Sequence, residues 1–209
     1  MDELDEMEFL EGLPPLVRAS RIGDLGEVCS LLAQGVSPAE ADSDGWSALH
    51  AAASRNHTEI IRVLLDAGCP VDVMDDSGFT PPLLNAAGPR NTETISRLLT
   101  AGADPNVREF GLLRSPLSCA ADYGNAEVVQ LLIDAGARID EKPPRGVTAL
   151  MTAAESSDGM ETVRVLLQAG ADPRITDDGT DEQFVGMTAA DYARRMGNTL
   201  IADFIDAWK

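Results

Sequence analysis

The sequence predicts an all-α solenoid of about six helix–turn–helix units with protruding β-hairpin fingers. Three observations carry that expectation. A Leu-Leu-x-x-Gly ending (once Leu-Ile) returns at nearly fixed spacing, its glycines being Gly35, Gly68, Gly102, Gly136 and Gly170, separated by 33, 34, 34 and 34 residues. A short Ser/Thr start running into an alanine pair returns in phase with it. Each predicted helix is also shorter than the roughly 12–15 residues below which an isolated helix is marginal in water, so a unit must bury its apolar face on the next one.

The starts read Gly45-Trp46-Ser47-Ala48-Leu49-His50, Gly78-Phe79-Thr80-Pro81, Ser115-Pro116-Leu117, Gly146-Val147-Thr148-Ala149-Leu150 and Gly186-Met187-Thr188-Ala189-Ala190. Ser47, Thr80, Ser115, Thr148 and Thr188 each precede a Pro or Ala, as an N-cap and first helical residue should. The alanines that follow make a thin first helix that a neighbour can approach closely. The chain turns at Asn56, Asn91, Gly124, Asp158-Gly159 or Gly197 and enters a second helix with branched apolar residues at helical spacing, such as Ile60, Ile61, Leu64 and Leu65. Both leucines of each pair are expected in the core. The closing glycine suits a left-handed helix end, and the Asp- and Gly-containing stretches beyond it, such as Asp42-Ser43-Asp44-Gly45, are turn formers.

The units are placed at 14–44 (a degenerate N-terminal cap), 45–77, 78–110, 111–144, 145–178 and 186–209 (a C-terminal cap), in one domain spanning 14–209. Residues 1–13 form a short acidic segment whose Leu4, Met7 and Leu10 are expected to add one amphipathic turn, with fraying as the alternative. Residues 179–185 extend one acidic finger, which carries about seven more residues than its counterparts and is read as a tolerated surface loop, with a binding role as the alternative.

Composition narrows the function. The 209 residues are 44% hydrophobic, as in a globular chain, and no apolar run approaches the roughly 20 residues of a membrane span. The start Met1-Asp2-Glu3-Leu4-Asp5-Glu6 has the wrong charge for a secretory signal, so a cytoplasmic protein is expected. A net charge of −19 argues against nucleic acid and membrane surfaces as partners. It is read as serving solubility, with attraction of a basic partner as the alternative. Cys29, Cys69 and Cys119 form no CxxC pair and are expected to be small buried thiols. Two histidines, no Gly-rich phosphate loop, no Gly-x-Ser-x-Gly turn and no His-Glu-x-x-His helix leave no basis for catalysis, a metal or a cofactor. His57, which begins a second helix, is expected to cap it or to face solvent.

The turn, the Ser/Thr-Pro/Ala-Leu-x-x-Ala-Ala helix and the Leu-Leu-x-x-Gly ending resemble the ankyrin repeat family over about residues 14–209. Only His50 keeps the motif histidine; Leu84, Ser118, Met151 and Asp191 replace it elsewhere, which is expected to weaken the polar ties between fingers and helices. The resemblance implies a module that binds a protein partner, or alternatively a sequestering inhibitor or adaptor that masks a partner's active or targeting surface; the chain is expected to be non-catalytic and monomeric. It also implies contact positions beside the finger glycine and just after the alanine pair. Carried over, these are Trp46, Phe79, Phe110, Leu112, Leu113, Arg114, Val147 and Met187 on fingers, and Ser54, Arg55, Asp122, Tyr123, Glu155, Arg194 and Arg195 on first helices. The arginines on this face, including Arg145, are read as pairing with aspartates of neighbouring fingers, with an acidic partner as the alternative.

Overall fold

The computed structural model describes residues 10–75, 80–87, 91–108, 114–179 and 186–208. Its helices fall in two compact units. The first unit holds α1 (Pro15–Ile22), α2 (Leu25–Ala33), α3 (Ala48–Ser54), α4 (Thr58–Asp66), α5 (Pro82–Ala86) and all but the first residue of α6 (Thr92–Thr100). The second holds α7 (Pro116–Asp122), α8 (Ala126–Asp134), α9 (Ala149–Glu155), α10 (Met160–Gln168), α11 (Ala189–Arg195) and α12 (Thr199–Asp206). The architecture is of the all-α helical-repeat class.

Within each unit, like packs on like. First helices meet first helices, α1 on α3 and α3 on α5 in one unit, α7 on α9 and α9 on α11 in the other. Alanine makes this approach possible: Ala48, Ala51, Ala52 and Ala53 are fully buried on α3, as are Ala153 and Ala154 on α9. Second helices supply the bulk, through Ile60, Ile61 and Leu64 on α4 and through Val163, Leu166 and Leu167 on α10. Of each leucine pair the first member is buried, whereas Leu65 and Leu99 are only half-buried; Leu167 alone among these second members is fully inside. One residue along a helix turns the side chain by about 100°, and that is enough to carry the second member toward the rim.

The helix ends follow from local chemistry. Ser47, Ser115, Thr148 and Thr188 cap α3, α7, α9 and α11, each hydroxyl accepting from the backbone N–H three residues on. Thr80 does not act as an N-cap: α5 begins at Pro82 with Pro81 between, so the extra proline moves Thr80 out of capping register. The five recurring glycines have φ between 88° and 98°. After α4, Gly68 N–H donates to the Leu65 carbonyl (2.9 Å) and Cys69 N–H to the Leu64 carbonyl (3.0 Å), the paired bonds of a Schellman end. Cys69 occupies a buried position filled by Ala103, Ala137 and Ala171 in later repeats. Cys29 is exposed, contrary to expectation, because the buried face of α2 is made by Val28 and Leu31.

The fingers contain no strand among the described residues; one isolated antiparallel bridge joins Ala41 and Ser47. A side-chain ladder links successive loops instead. The Asp72 carboxylate accepts from Asp104 N–H (3.1 Å) in the first unit. In the second, Asn106 accepts from Arg138 N–H (2.8 Å) and Asp140 from Asp172 N–H (3.1 Å). These Asx residues recur every 34 positions, a signal present in the sequence and not recognised there.

His50 ties the start of α3 to the next repeat in the first unit. Ser47 N–H donates to Nδ1 (3.1 Å), so Nδ1 is the acceptor and Nε2 carries the proton that it donates to the Thr80 carbonyl (2.8 Å). Ser118 and Asp191 keep the bond to the cap residue (both 3.0 Å), whereas at Met151 a thioether, a weak acceptor, stands in at 3.4 Å. Burial pulls the His50 pKa below its ordinary 6.5, against smaller raising contributions from the Thr80 bond and from Asp75 and Asp42. Because the folded value is the lower one, this contribution to stability is complete above about pH 6.5 and declines as pH falls through the folded value. We expect His50→Leu, the residue type found at Leu84, to cost about 1–3 kcal/mol at neutral pH and to remove part of the acid dependence of the urea midpoint. A wild type and variant that lose stability in parallel below pH 6.5 would show that His50 does not titrate as described.

Candidate protein-binding surface

On the finger side of the first unit, the Asp42 carboxylate closes the loop by accepting from Asp44 N–H (3.0 Å) and Trp46 N–H (2.9 Å). Trp46 is half-buried and lies stacked over His50, with ring centroids 5.0 Å apart. Its ring therefore lies against the repeat rather than standing clear at a tip. Arg55 is exposed at the C-cap of α3. His57 precedes α4 but does not cap it; its Nε2 reaches back to the Arg21 carbonyl (3.2 Å) at the end of α1. Phe79, Phe110, Leu112 and Leu113 lie outside the described residues, as do Leu4, Met7 and 180–185 of the extended finger.

The base of that finger is described. Asp177, buried, accepts from Met187 N–H (2.8 Å), and its own N–H donates to the Met187 carbonyl (3.1 Å). Asp42 closes its own loop in the same way over four residues, and Asp177 closes this one over ten. Its second oxygen accepts from the Tyr192 hydroxyl (2.8 Å) on α11. Burial, then the bond to Asp177, pushes the Tyr192 pKa up to about 12. Met187 is half-buried at this closure, and Val147 is half-buried on the preceding finger.

Along the first helices of the second unit, three interhelix turns lie side by side. A Cβ on Gly124 would stand 3.8 Å from Ser156 Oγ and 3.9 Å from the Asp158 carbonyl oxygen. Asn198 Nδ2 donates to the Ala154 (3.1 Å) and Glu155 (3.0 Å) carbonyls. The turn after Asp122 thus adjoins the turn after Glu155, which adjoins the turn after Arg195. On this edge Tyr123 is 57% exposed at the C-cap of α7. Arg114 pairs with Asp122 (2.9 Å), Arg195 with Glu155, and Arg194 with Asp191 (3.2 Å) and Asp206. The partners are helix carboxylates rather than finger aspartates: Asp122, Asp191 and Asp206 lie within 12 residues of their arginines, and stacking brings Glu155 to Arg195 across 40. Exposed pairs of this kind are worth roughly 0–1 kcal/mol each. The Asp191 carboxyl is held below its usual range, mainly by the Thr188 N–H and hydroxyl that it accepts from, with Arg194 adding less.

Among the described residues, no cluster of three or more His, Cys, Asp or Glu could hold a metal ion, and no helix is long and apolar enough to cross a membrane. What the second unit presents is a polar edge with an exposed aromatic ring. A family model for ankyrin repeats in three copies matches residues 16–109 and 83–177. The chain belongs to the ankyrin repeat family.

Ankyrin repeats are protein–protein interaction modules, and the family is typically non-enzymatic. Among curated proteins, this ankyrin repeat chain is 39% identical to human 26S proteasome non-ATPase regulatory subunit 10 over 66 residues, 32% of this chain and 28% of that protein. It is 36% identical to human ankyrin repeat domain-containing protein 39 over 69 residues, 33% of this chain and 36% of that protein. An ankyrin repeat-containing protein of Schizosaccharomyces pombe is 32% identical over 68 residues, 32% of this chain and 33% of that protein. The matches thus span about a third of each relative's length.

Proposed function

We propose that this chain is a non-catalytic, monomeric, cytoplasmic module that binds a protein partner through its fingers and the edge of its first helices. The observation that carries the reading is Tyr123, a large ring left exposed where three interhelix turns adjoin. Interface energy concentrates in a few large anchors, with aromatic and arginine side chains foremost. Arg194, Arg195 and Glu155 flank the ring along the same edge, while Trp46, Arg55, Arg114 and Met187 are further candidate contacts within their own units. Repeats packed on a rigid stack hold such side chains at fixed spacing, so little ordering entropy opposes association.

The test is affinity capture from the native cell lysate, repeated with variants. Tyr123→Ala with Arg195→Ala is expected to weaken retention of the captured protein by about 2 kcal/mol or more. Arg62→Ala, on the second-helix face where Arg62 bonds Glu59 and Asp66 (each 2.6 Å), is expected to leave it unchanged. The opposite pattern would move the binding surface to the second helices.

A further inference from the structure

The arginines of the first-helix edge face inward to their own carboxylates, and this reverses the sign of what the edge offers. Arg114, Arg194 and Arg195 are each tied to Asp or Glu, so their positive charge is largely matched within the molecule. The Tyr123 ring is exposed on this edge, and so, on the adjoining turn, is Asp158. The molecule shows what such a pair binds. One repeat further along, the Arg195 guanidinium lies 5.1 Å from the centroid of the Tyr192 ring while bonded to Glu155. At the second-helix face, Arg164 lies 4.9 Å from the centroid of Phe204 while paired to Glu161 (3.4 Å). Ring, guanidinium and carboxylate recur together. At Tyr123 the ring is exposed and Asp158, also exposed, lies on the adjoining turn, and among the described residues no arginine is stacked on the one or paired with the other.

We propose that this edge receives an arginine from a basic segment of a protein partner, its guanidinium lying on the Tyr123 ring and facing Asp158. This rests on the reading that the first-helix edge binds a protein. A planar guanidinium suits the site better than an ammonium, because it stacks on a ring and still offers donors to a carboxylate in its plane. The net charge of −19 supplies the long-range attraction that steers a basic segment inward.

A fluorescein-labelled synthetic peptide of arginine, glycine and serine is the probe, read by anisotropy at two salt concentrations. Binding should weaken with salt and vanish for the peptide in which citrulline, the same shape without the charge, replaces arginine. Tyr123→Ala and Asp158→Asn should each weaken it about fivefold. Asp134→Asn, which removes one like charge from the end of α8, should leave it unchanged. Equal losses in all three variants would reduce the effect to bulk acidity and overturn the proposal, as would retained citrulline binding, preference for a glutamate peptide, or no binding of the arginine peptide. The lysate capture separates the two readings. A captured partner that needs Tyr123 yet ignores salt and the arginine peptide leaves the edge standing and sinks its basic chemistry; one indifferent to Tyr123 sinks both.

Discussion

Leu98→Ala is expected to lower the unfolding free energy by about 2–5 kcal/mol, a large share of what a domain of ordinary stability possesses. Leu98 is fully buried on α6 beside Ile95 and Thr94, also fully buried. Its carbonyl accepts from Ala103 N–H (3.0 Å) at the helix end, so the backbone there is pinned and cannot collapse into the space that the missing carbons leave. Leu99→Ala makes the contrast within one helix turn: that side chain is half-buried, and its loss should cost distinctly less. In a repeat protein the damage is felt mainly by the affected repeat and its neighbours, so the Leu98 variant should also broaden the urea transition or divide it into stages. Denaturation followed by circular dichroism gives both readouts. An unchanged midpoint with single-step melting for Leu98→Ala would mean that the core lies elsewhere.

The second large effect comes from a glycine whose backbone any residue could adopt. Gly159 has φ −72°, yet a Cβ there would lie 1.9 Å from the Ala153 carbonyl oxygen and 3.0 Å from that of Ser156. Both obstacles are backbone, so no side-chain rotation relieves them; the turn between α9 and α10 must open. Gly159→Ala should therefore cost at or above the top of the roughly 1–3 kcal/mol range for overpacking. Gly68 is the opposite case: φ is +90° and nothing lies within 4 Å of a Cβ, so Gly68→Ala should cost only the roughly 1–2 kcal/mol of left-handed backbone. Comparing the two variants by chemical denaturation decides between crowding and conformation. A Gly68 variant less stable than the Gly159 variant would contradict the geometry. Because Asp158 belongs to the same turn, Gly159→Ala should also disturb binding at the Tyr123 edge.

What the sequence determined by itself was the repeating local chemistry. Ser47, Ser115, Thr148 and Thr188 cap helices because a hydroxyl three residues before a backbone N–H needs nothing distant, and the recurring glycines end helices for the same reason. The alanine pairs and leucine endings carried the two helix types, and their period carried the ankyrin repeat assignment. Where one extra residue intrudes, as Pro81 does after Thr80, even that local reading slips.

Tertiary structure alone decided which way the side chains of one face turn and whom they meet. Cys29 stands exposed and Leu99 half-exposed although the residue before each, Val28 and Leu98, is buried, because burial depends on what the adjacent repeat covers. His50 reaches Thr80 across 30 residues, Asp177 closes a finger on Tyr192 across 15, and Glu155 takes up Arg195 across 40. The last of these sets the character of the candidate surface. In the sequence, Arg114, Arg194 and Arg195 read as partners of finger aspartates; in the structure Arg114 and Arg194 pair with helix carboxylates of their own stretch, stacking brings Glu155 to Arg195, and Tyr123 and Asp158 stand exposed on adjoining turns of the same edge. Charge in a sequence is a property of residues, whereas the charge of a surface depends on distances between repeats, and those are created only when the repeats pack.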